Sequence, residues 1–405
     1  MKPPVYAPLS LVEYIPRRLP RQALSDTEGE LLWKQYIRQI DVVFPSPKTG
    51  WEWELKSDGW VGYIPLSPDH GISLLPRVSL RSLFGMLDYA YHLPLHIIDG
   101  VFQCQSLPDF YERLAQELAR RVRERERRGF HRDYVGITEE LSYVTGQVNV
   151  QRMIRQPWSV RLECTYQDHT LDIEDNRILA WTLGVILRSD LCSERVVPQI
   201  RHVYRSLQGG VTQQAFRPND CINRLYHRLN SDYQPMHALC RFFLEHSGPG
   251  IERGDRRMLP FLVHMPRLYE QFVAEWLKAH LPKAFRIKTQ ERYNIAYEGS
   301  LYFAIDLVLY DVATDKAYGV IDTKYKIDQQ PKTADIAQVV AYAQAKGCQH
   351  AFLAYPKPLL APLDTWIGKI RVRSVTFALT EDIEQAGQNF LCDLLGVSLA
   401  TDAGV

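Results

Sequence analysis

Leu301-Tyr-Phe-Ala-Ile-Asp-Leu-Val-Leu-Tyr310, then Asp311-Val-Ala-Thr-Asp-Lys316, then Ala317-Tyr-Gly-Val-Ile-Asp-Thr-Lys324 is the stretch on which the reading of this chain turns. Two apolar, β-branched runs flank a polar turn, the pattern of a β-hairpin. Each run carries one aspartate amid apolar neighbours: Asp306 between Ile305 and Leu307, and Asp322 after Val320 and Ile321. Side chains alternate along a strand, so Asp322 and Lys324 share a face. A hairpin centred near Thr314 makes Asp306 and Asp322 cross-strand neighbours on that face. Opposed side chains sit ~5 Å apart, and like charges there repel. Such a pair calls for a compensating cation, and a divalent metal with oxygen ligands, Mg²⁺ or Mn²⁺, is the simplest.

The surrounding periodicities place this hairpin in a larger order of elements. Pro266 to Leu281 reads as a helix with Leu268, Phe272 and Trp276 on one side. Strand-like runs follow at Arg286–Ala296, Leu301–Tyr310 and Ala317–Lys324. A helix then spans Thr333 to Lys346, stopped by Gly347. Strands at Ala351–Tyr355 and Ile370–Ala378 and a helix near 381–396 complete a mixed sheet covered by helices. Gln338 and Tyr342, four apart, share one helix face and offer an amide and a hydroxyl to the site strands. Glu270, at the margin of the first helix's apolar face, is a candidate third carboxylate. Asp306, Asp322 and Glu270 are thus the expected metal ligands. Lys324 is placed to hold a water and to stabilise charge on phosphorus oxygens, which points to phosphodiester hydrolysis.

Upstream, Trp51–Leu55 and Trp60–Ile64 flank Ser57-Asp58-Gly59 and suggest a hairpin. The turn Ser67-Pro-Asp-His-Gly71 leads to a strand over Ile72–Val78 and a helix over LRSLFGMLDYAY (80–91). Helical patterns then dominate. Ser106 and Pro108 start a helix that runs into Arg120–Arg128, with six arginines and two glutamates. That run reads more readily as a solvated helix face with i,i+4 charge pairs than as a phosphate-binding stripe. Further helices are expected at about 172–189, 197–208 and 222–246. Ser247-Gly-Pro-Gly250 marks a boundary. The expected architecture is therefore a multidomain α/β (α+β) chain: a strand-rich part over 1–105, a mainly helical part over 106–250, and the α/β domain over 251–405.

Length and composition agree with a multidomain globular protein: 405 residues, 46% hydrophobic, 23% charged, with a formal net charge of +1. A protein gripping nucleic acid alone usually shows a basic excess, so either the cations are concentrated on one face or a partner holds the DNA. The start, MKPPVYAPLSLVEYIPRR, has no signal-peptide pattern, and no run approaches the ~18 apolar residues of a membrane span. The seven cysteines are scattered, and a reduced cytoplasm is the expected setting. Cys221, His227, His237 and Cys240 have a loosely zinc-like spacing, but buried cysteines and helix-surface histidines account for them better.

Asp306, Asp322-Thr-Lys324 and Gln338-Val-Val-Ala-Tyr342 resemble the acidic, acidic-x-Lys and Q-x-x-x-Y pattern of the RecB-like branch of the PD-(D/E)XK nuclease superfamily. Leu75-Pro-Arg-Val78, Arg128-Gly129, Tyr134, Glu139-Glu140, Gly146, Asn176-Arg-Ile-Leu179, Leu268-Tyr-Glu-Gln-Phe-Val273 and Ile321-Asp-Thr-Lys-Tyr325 extend the resemblance to the McrC family, with Arg77 where that family's pattern has lysine. The resemblance implies a nuclease subunit of a modification-dependent restriction system. It implies docking on a McrB-like hexameric AAA+ motor, usually a GTPase, whose hydrolysis the N-terminal region stimulates. The expected substrate is double-stranded modified DNA. No Walker A pattern is present, so the nucleotide belongs to the partner. Two alternatives remain open: a RecB-like repair nuclease working without a ring, and a non-catalytic activator of the motor.

Overall fold

Apolar residues fill both hairpin strands, and in the computed structural model they lie near the middle of a six-stranded mixed sheet. The structure describes residues 9–67, 70–93, 104, 106–189, 191–247, 251–253, 256–295, 301–326, 330–380 and 382–396. Gly248 to Gly250 of the expected boundary, Pro68 and Asp69 of the expected turn, and the last residues lie outside these. The chain divides into two compact units, one formed by 1–106 with 262–405 and the other by 107–261. The first and last thirds, read from the sequence as separate domains, therefore make one unit.

In that first unit the sheet order is Phe285–Asn294, Tyr302–Asp311, Ala317–Thr323, His350–Tyr355, Ile370–Thr376, Asp364–Ile367. The first three strands run antiparallel; Ala317–Thr323, His350–Tyr355 and Ile370–Thr376 run parallel, joined through the helix Thr333–Lys346. Gly347, in the left-handed region at φ +65°, ends that helix. Ile305, Val308, Val320, Val339, Ala351, Leu353 and Val372 are fully buried between helix and sheet. Helix Met265–His280 buries Leu268, Phe272 and Trp276, as its periodicity requires. The edge strand Asp364–Ile367 was not anticipated; its residues are mostly exposed and give no alternation to read.

The expected hairpin at Trp51–Leu55 and Trp60–Ile64 is not formed. Trp53–Ser57 pairs instead with Arg17–Leu19 and Ile40–Val43, while Trp60–Ser67 pairs with His70–Leu75, itself parallel to Leu9–Val12. The Ser57 hydroxyl donates to the Trp60 carbonyl at 2.6 Å, and Gly59 adopts φ +74°, so the chain leaves one sheet for another at this turn. The helix Leu80–Tyr91 has the expected bounds, capped by Ser79, which accepts from the Ser82 amide.

The second unit contains the helices Leu107–Arg128, Glu174–Ser189, Val197–Gln208 and Tyr233–His246. Two expectations fail here. Residues 222–227 are irregular and 228–232 form turns, so that helix starts only at Tyr233. The middle region also holds a three-stranded antiparallel ribbon, Asp133–Leu141, Leu162–Thr170 and Gln147–Val148. Its first strand is exposed along nearly its whole length, which removes the apolar alternation that reveals a strand. Gly146, at φ +62°, sits in this ribbon where a Cβ would overlap the Thr165 carbonyl. In the arginine run, Arg120 and Arg121 pair with Glu117, and Arg125 pairs with Asp232, while Arg123, Arg127 and Arg128 face solvent. His237 is fully buried; its Nδ1 accepts from the Tyr226 hydroxyl at 2.9 Å, and its Nε2 faces the Asp175 carbonyl at 3.2 Å, so both ring nitrogens are engaged within the fold.

Candidate active site

Hairpin register places the two aspartates. Leu307 pairs with Ile321 and Val308 with Val320, and the same register carried one step further sets Asp306 against Asp322. On the other side of Asp306, the register Thr289↔Leu307 and Glu291↔Ile305 sets Gln290 against it. Asp322 is 2% exposed, and its Oδ2 lies 2.6 Å from the Lys324 ammonium. Asp306 is held differently: its Oδ2 accepts from the Thr323 amide at 3.1 Å and the Thr323 hydroxyl at 3.2 Å. Glu270, on helix Met265–His280, accepts from the Gln290 side-chain amide. Gln290 has φ +50°, a left-handed conformation uncommon for a residue with a side chain.

Helix Thr333–Lys346 closes the site from one end. The Lys324 ammonium donates to Gln338 Oε1 at 3.1 Å, and Gln338 Nε2 donates to the Tyr342 hydroxyl at 2.7 Å. Asp335 in the first turn of this helix lies 3.6 Å from the Lys324 ammonium and 3.2 Å from that of Lys326. The six residues singled out from sequence are thus drawn together, either by direct bonds or by mutual electrostatic influence. Thr323, Gln290 and Asp335 were not anticipated. Asp335 precedes Gln338 by three positions, and this helical spacing was the one sequence signal available for it.

The charge balance is uneven. Burial, with the like charge of Asp306 adding to it, pushes the Glu270 carboxyl up to about 7. Burial likewise pushes Asp322 up to about 6, against the pull of Lys324 and with Asp306 adding to the rise. Asp306 is also raised by burial, although the Thr323 donors oppose this. Burial acts to lower the Lys324 ammonium, but Asp322, joined by Asp335 and Asp306, outweighs it and the net shift is upward. Lys324 is thus the ammonium beside Asp322, Arg267 acts on Glu270 and Lys326 on Asp335, yet burial still raises Glu270, Asp306 and Asp322. Among the described residues no group of three or more His, Cys, Asp or Glu side chains is gathered tightly enough to hold an ion. The fit to a divalent cation rests on the two strand aspartates, and Mg²⁺ commonly binds through one or two carboxylates with water and substrate oxygens completing the shell. The donor chemistry meets that requirement.

No helix among the described residues is long and apolar enough to cross a membrane. In fold, the chain is similar to a chain of the refined half-complex from the tetradecameric assembly of Thermococcus gammatolerans McrB AAA+ hexamers with bound McrC. The TM-score is 0.57 at 17% identity, over 97% of this chain and 100% of that one. In sequence it is 26% identical over 222 residues to the type IV methyl-directed restriction enzyme EcoKMcrBC of Escherichia coli (strain K12). That alignment takes in 52% of this chain and 61% of the relative's length. The family described as McrBC 5-methylcytosine restriction system component matches residues 55–356, three quarters of the sequence with Asp306, Asp322 and Lys324 among them, so this chain belongs to that family.

Proposed function

We propose that this chain is the DNA-cleaving subunit of a modification-dependent restriction complex, a metal-dependent phosphodiesterase that works docked on a McrB-like AAA+ ring. The observation that carries the reading is the convergence of Asp306 and Asp322 on neighbouring strands with Lys324 just past the end of one of them, where burial raises both carboxyls despite the ammonium beside Asp322. Asp306 and Asp322 would hold the divalent ion, Mg²⁺ or Mn²⁺, with Glu270 at its margin. When bound, such an ion supplies Lewis-acid activation of the phosphodiester and of the attacking water.

The chain's own residues define the rest. Thr323 fixes one oxygen of Asp306, leaving its other oxygen for a ligand. Gln338 accepts from Lys324 while bonded to Tyr342, so the ammonium is aimed by a short chain of hydrogen bonds. Held there, the ammonium stabilises negative charge developing on the phosphate oxygens. Docking is supported by the ribbon region of the second unit, which leaves Tyr143, Ile154 and Trp158 62%, 71% and 78% exposed. A short stretch of chain that leaves several large apolar side chains in solvent offers surface to a partner. The near-neutral charge accords with duplex DNA being held chiefly by the ring.

The test is Asp322→Ala in the full chain reconstituted with its AAA+ partner, nucleotide, Mg²⁺ and modified plasmid DNA. Cleavage should fall by ~10²–10³-fold, with nucleotide hydrolysis by the ring still stimulated. Full cleavage by the variant would sink the reading. Robust cutting by the isolated wild-type chain would favour a nuclease that works without a ring. Normal stimulation with no DNA breaks from wild type would favour a non-catalytic activator.

A further inference from the structure

Glu13 is fully buried, far from the site in sequence, and belongs to no step described above. Its Oε1 accepts two hydrogen bonds, from the Arg77 amide at 2.8 Å and from the Tyr325 hydroxyl at 2.8 Å. Tyr325 directly follows Lys324, and its ring lies against that of Tyr269, which directly precedes Glu270, at a centroid distance of 6.0 Å. The backbone around Tyr325 is tightly fixed. The Lys324 amide donates to the Ala354 carbonyl at 2.8 Å, and the Lys326 amide donates to the Lys324 carbonyl at 2.8 Å. Thus the segment that presents Lys324 is anchored on its sheet side by Ala354 and at its next side chain by Glu13.

Burying a carboxyl is costly unless its oxygens find partners. Glu13 Oε2 has none among the described residues, and burial favours the neutral form of the group. An apolar residue would remove that cost but would leave the Arg77 amide and the Tyr325 hydroxyl without their acceptor, so the glutamate serves to hold these two donors. The N-terminal segment makes a second contact with the same unit: the Gly59 carbonyl accepts from the Met265 amide at 2.8 Å, at the start of the helix that carries Glu270. A Cβ at Gly59 would overlap the Tyr14 hydroxyl, so Tyr14, next to Glu13, closes over that junction. Glu13, Tyr14 and Gly59 therefore touch two of the segments that supply site residues, the one that carries Lys324 and the start of the helix that carries Glu270.

We infer that Glu13 is a positioning residue for DNA cleavage: through the Tyr325 hydroxyl it sets where the Lys324 ammonium lies relative to Asp322. This rests on the nuclease reading above, and it makes the N-terminal segment part of the cleavage apparatus.

The experiment uses the full chain reconstituted with its AAA+ partner and compares Tyr325→Phe, Glu13→Gln and Glu13→Ala, with Asp322→Ala as reference. Tyr325→Phe keeps the ring against Tyr269 and deletes only the donor. The cleavage rate at saturating DNA should fall about tenfold in Tyr325→Phe and Glu13→Ala, since small misplacements of a reacting group cost one to two orders of magnitude. DNA affinity and ring association should be unchanged, and Glu13→Gln, which keeps the acceptor, should restore most of the rate. Backbone amide exchange over 322–326 should quicken in Tyr325→Phe. Wild-type cleavage by Tyr325→Phe beside an inactive Asp322→Ala overturns the positioning role and leaves the nuclease reading intact; cleavage by Asp322→Ala overturns the reading itself. Should Glu13→Ala fail to fold, Tyr325→Phe decides alone. A fall confined to DNA affinity, with the saturated rate unchanged, also overturns the positioning role.

Discussion

Two buried polar clusters, one in each unit, are built on opposite principles. In the helical unit, Asn176 donates to the His131 carbonyl at 2.8 Å and the Leu171 carbonyl at 2.7 Å and accepts from the Tyr233 hydroxyl at 2.6 Å. Tyr233 in turn accepts from the His131 amide at 3.0 Å, which closes the loop. Nearby, Asp175 pairs with Arg224 at 2.6 Å. Donors there meet acceptors, and charge meets opposite charge. Around Asp306 and Asp322, carboxyls are crowded together, and the cations nearby leave Glu270, Asp306 and Asp322 raised by burial. A satisfied buried network specifies a fold, whereas a frustrated one persists where a ligand completes it.

Truncation in the two clusters should therefore move stability in different directions. Asn176→Ala strips three hydrogen bonds from buried partners and should cost about 3 kcal/mol of unfolding free energy, read from urea melts. Asp322→Ala removes a carboxyl that burial raises in spite of Lys324, and Lys324 keeps Gln338 and Asp335 as partners, so stability should stay within ~1 kcal/mol of wild type or rise while cleavage falls. The contrast breaks if Asn176→Ala is harmless, or if Asp322→Ala is the more destabilising of the two.

A pH titration of stability sharpens the same contrast from the satisfied side. Burial pushes His237 down to about 4, with Asp175 opposing the shift. The Tyr226 hydroxyl donates to its Nδ1 and its Nε2–H donates to the Asp175 carbonyl, so the folded state fits the neutral ring. The unfolded chain binds a proton below about 6.5, whereas the folded chain does not until about pH 4. This contribution is therefore intact above pH 6.5 and is lost as pH falls towards 4, at up to ~1.4 kcal/mol per pH unit. Between pH 6 and 4.5 wild type should lose about 2 kcal/mol more than His237→Gln. Parallel pH profiles for the two proteins would show that His237 titrates normally in the fold.

The same contrast separates what the sequence reveals from what it hides. Asp306 and Asp322 are legible because charged residues inside apolar strand runs violate the local pattern, and a hairpin about Thr314 pairs them. Gln338 and Tyr342 are legible from their four-residue spacing. Thr323 and Gln290 are not, because a threonine and a glutamine in strands break no pattern; their partners are fixed by register and by a left-handed backbone at 290. Asp335 looks like an ordinary acidic residue in a first helical turn until Lys324 and Lys326 are placed beside it. The union of first and last thirds in one unit is equally hidden. Glu13 and Tyr325 are 312 positions apart, and such a contact leaves no periodicity. The ribbon at 133–170 escapes because an exposed strand has no apolar face to alternate.

Thr323 gives the smallest and most local test of the frustrated cluster. Its amide and hydroxyl both donate to one oxygen of Asp306, at 3.1 and 3.2 Å, and both hold that carboxyl below where burial alone would put it. Thr323→Val keeps the β-branched shape that suits a strand and keeps the amide, but removes one of the two donors. One lost hydrogen bond is worth about 1 kcal/mol, or roughly fivefold in rate. Because deleting the donor leaves Asp306 less firmly aimed, the loss should appear in cleavage at saturating DNA and be partly recovered at raised Mg²⁺. The melting temperature should stay close to wild type, since the strand and its packing are unchanged. An unaltered rate at low Mg²⁺ would mean that the Thr323 amide alone orients Asp306 and that the hydroxyl is incidental to the site.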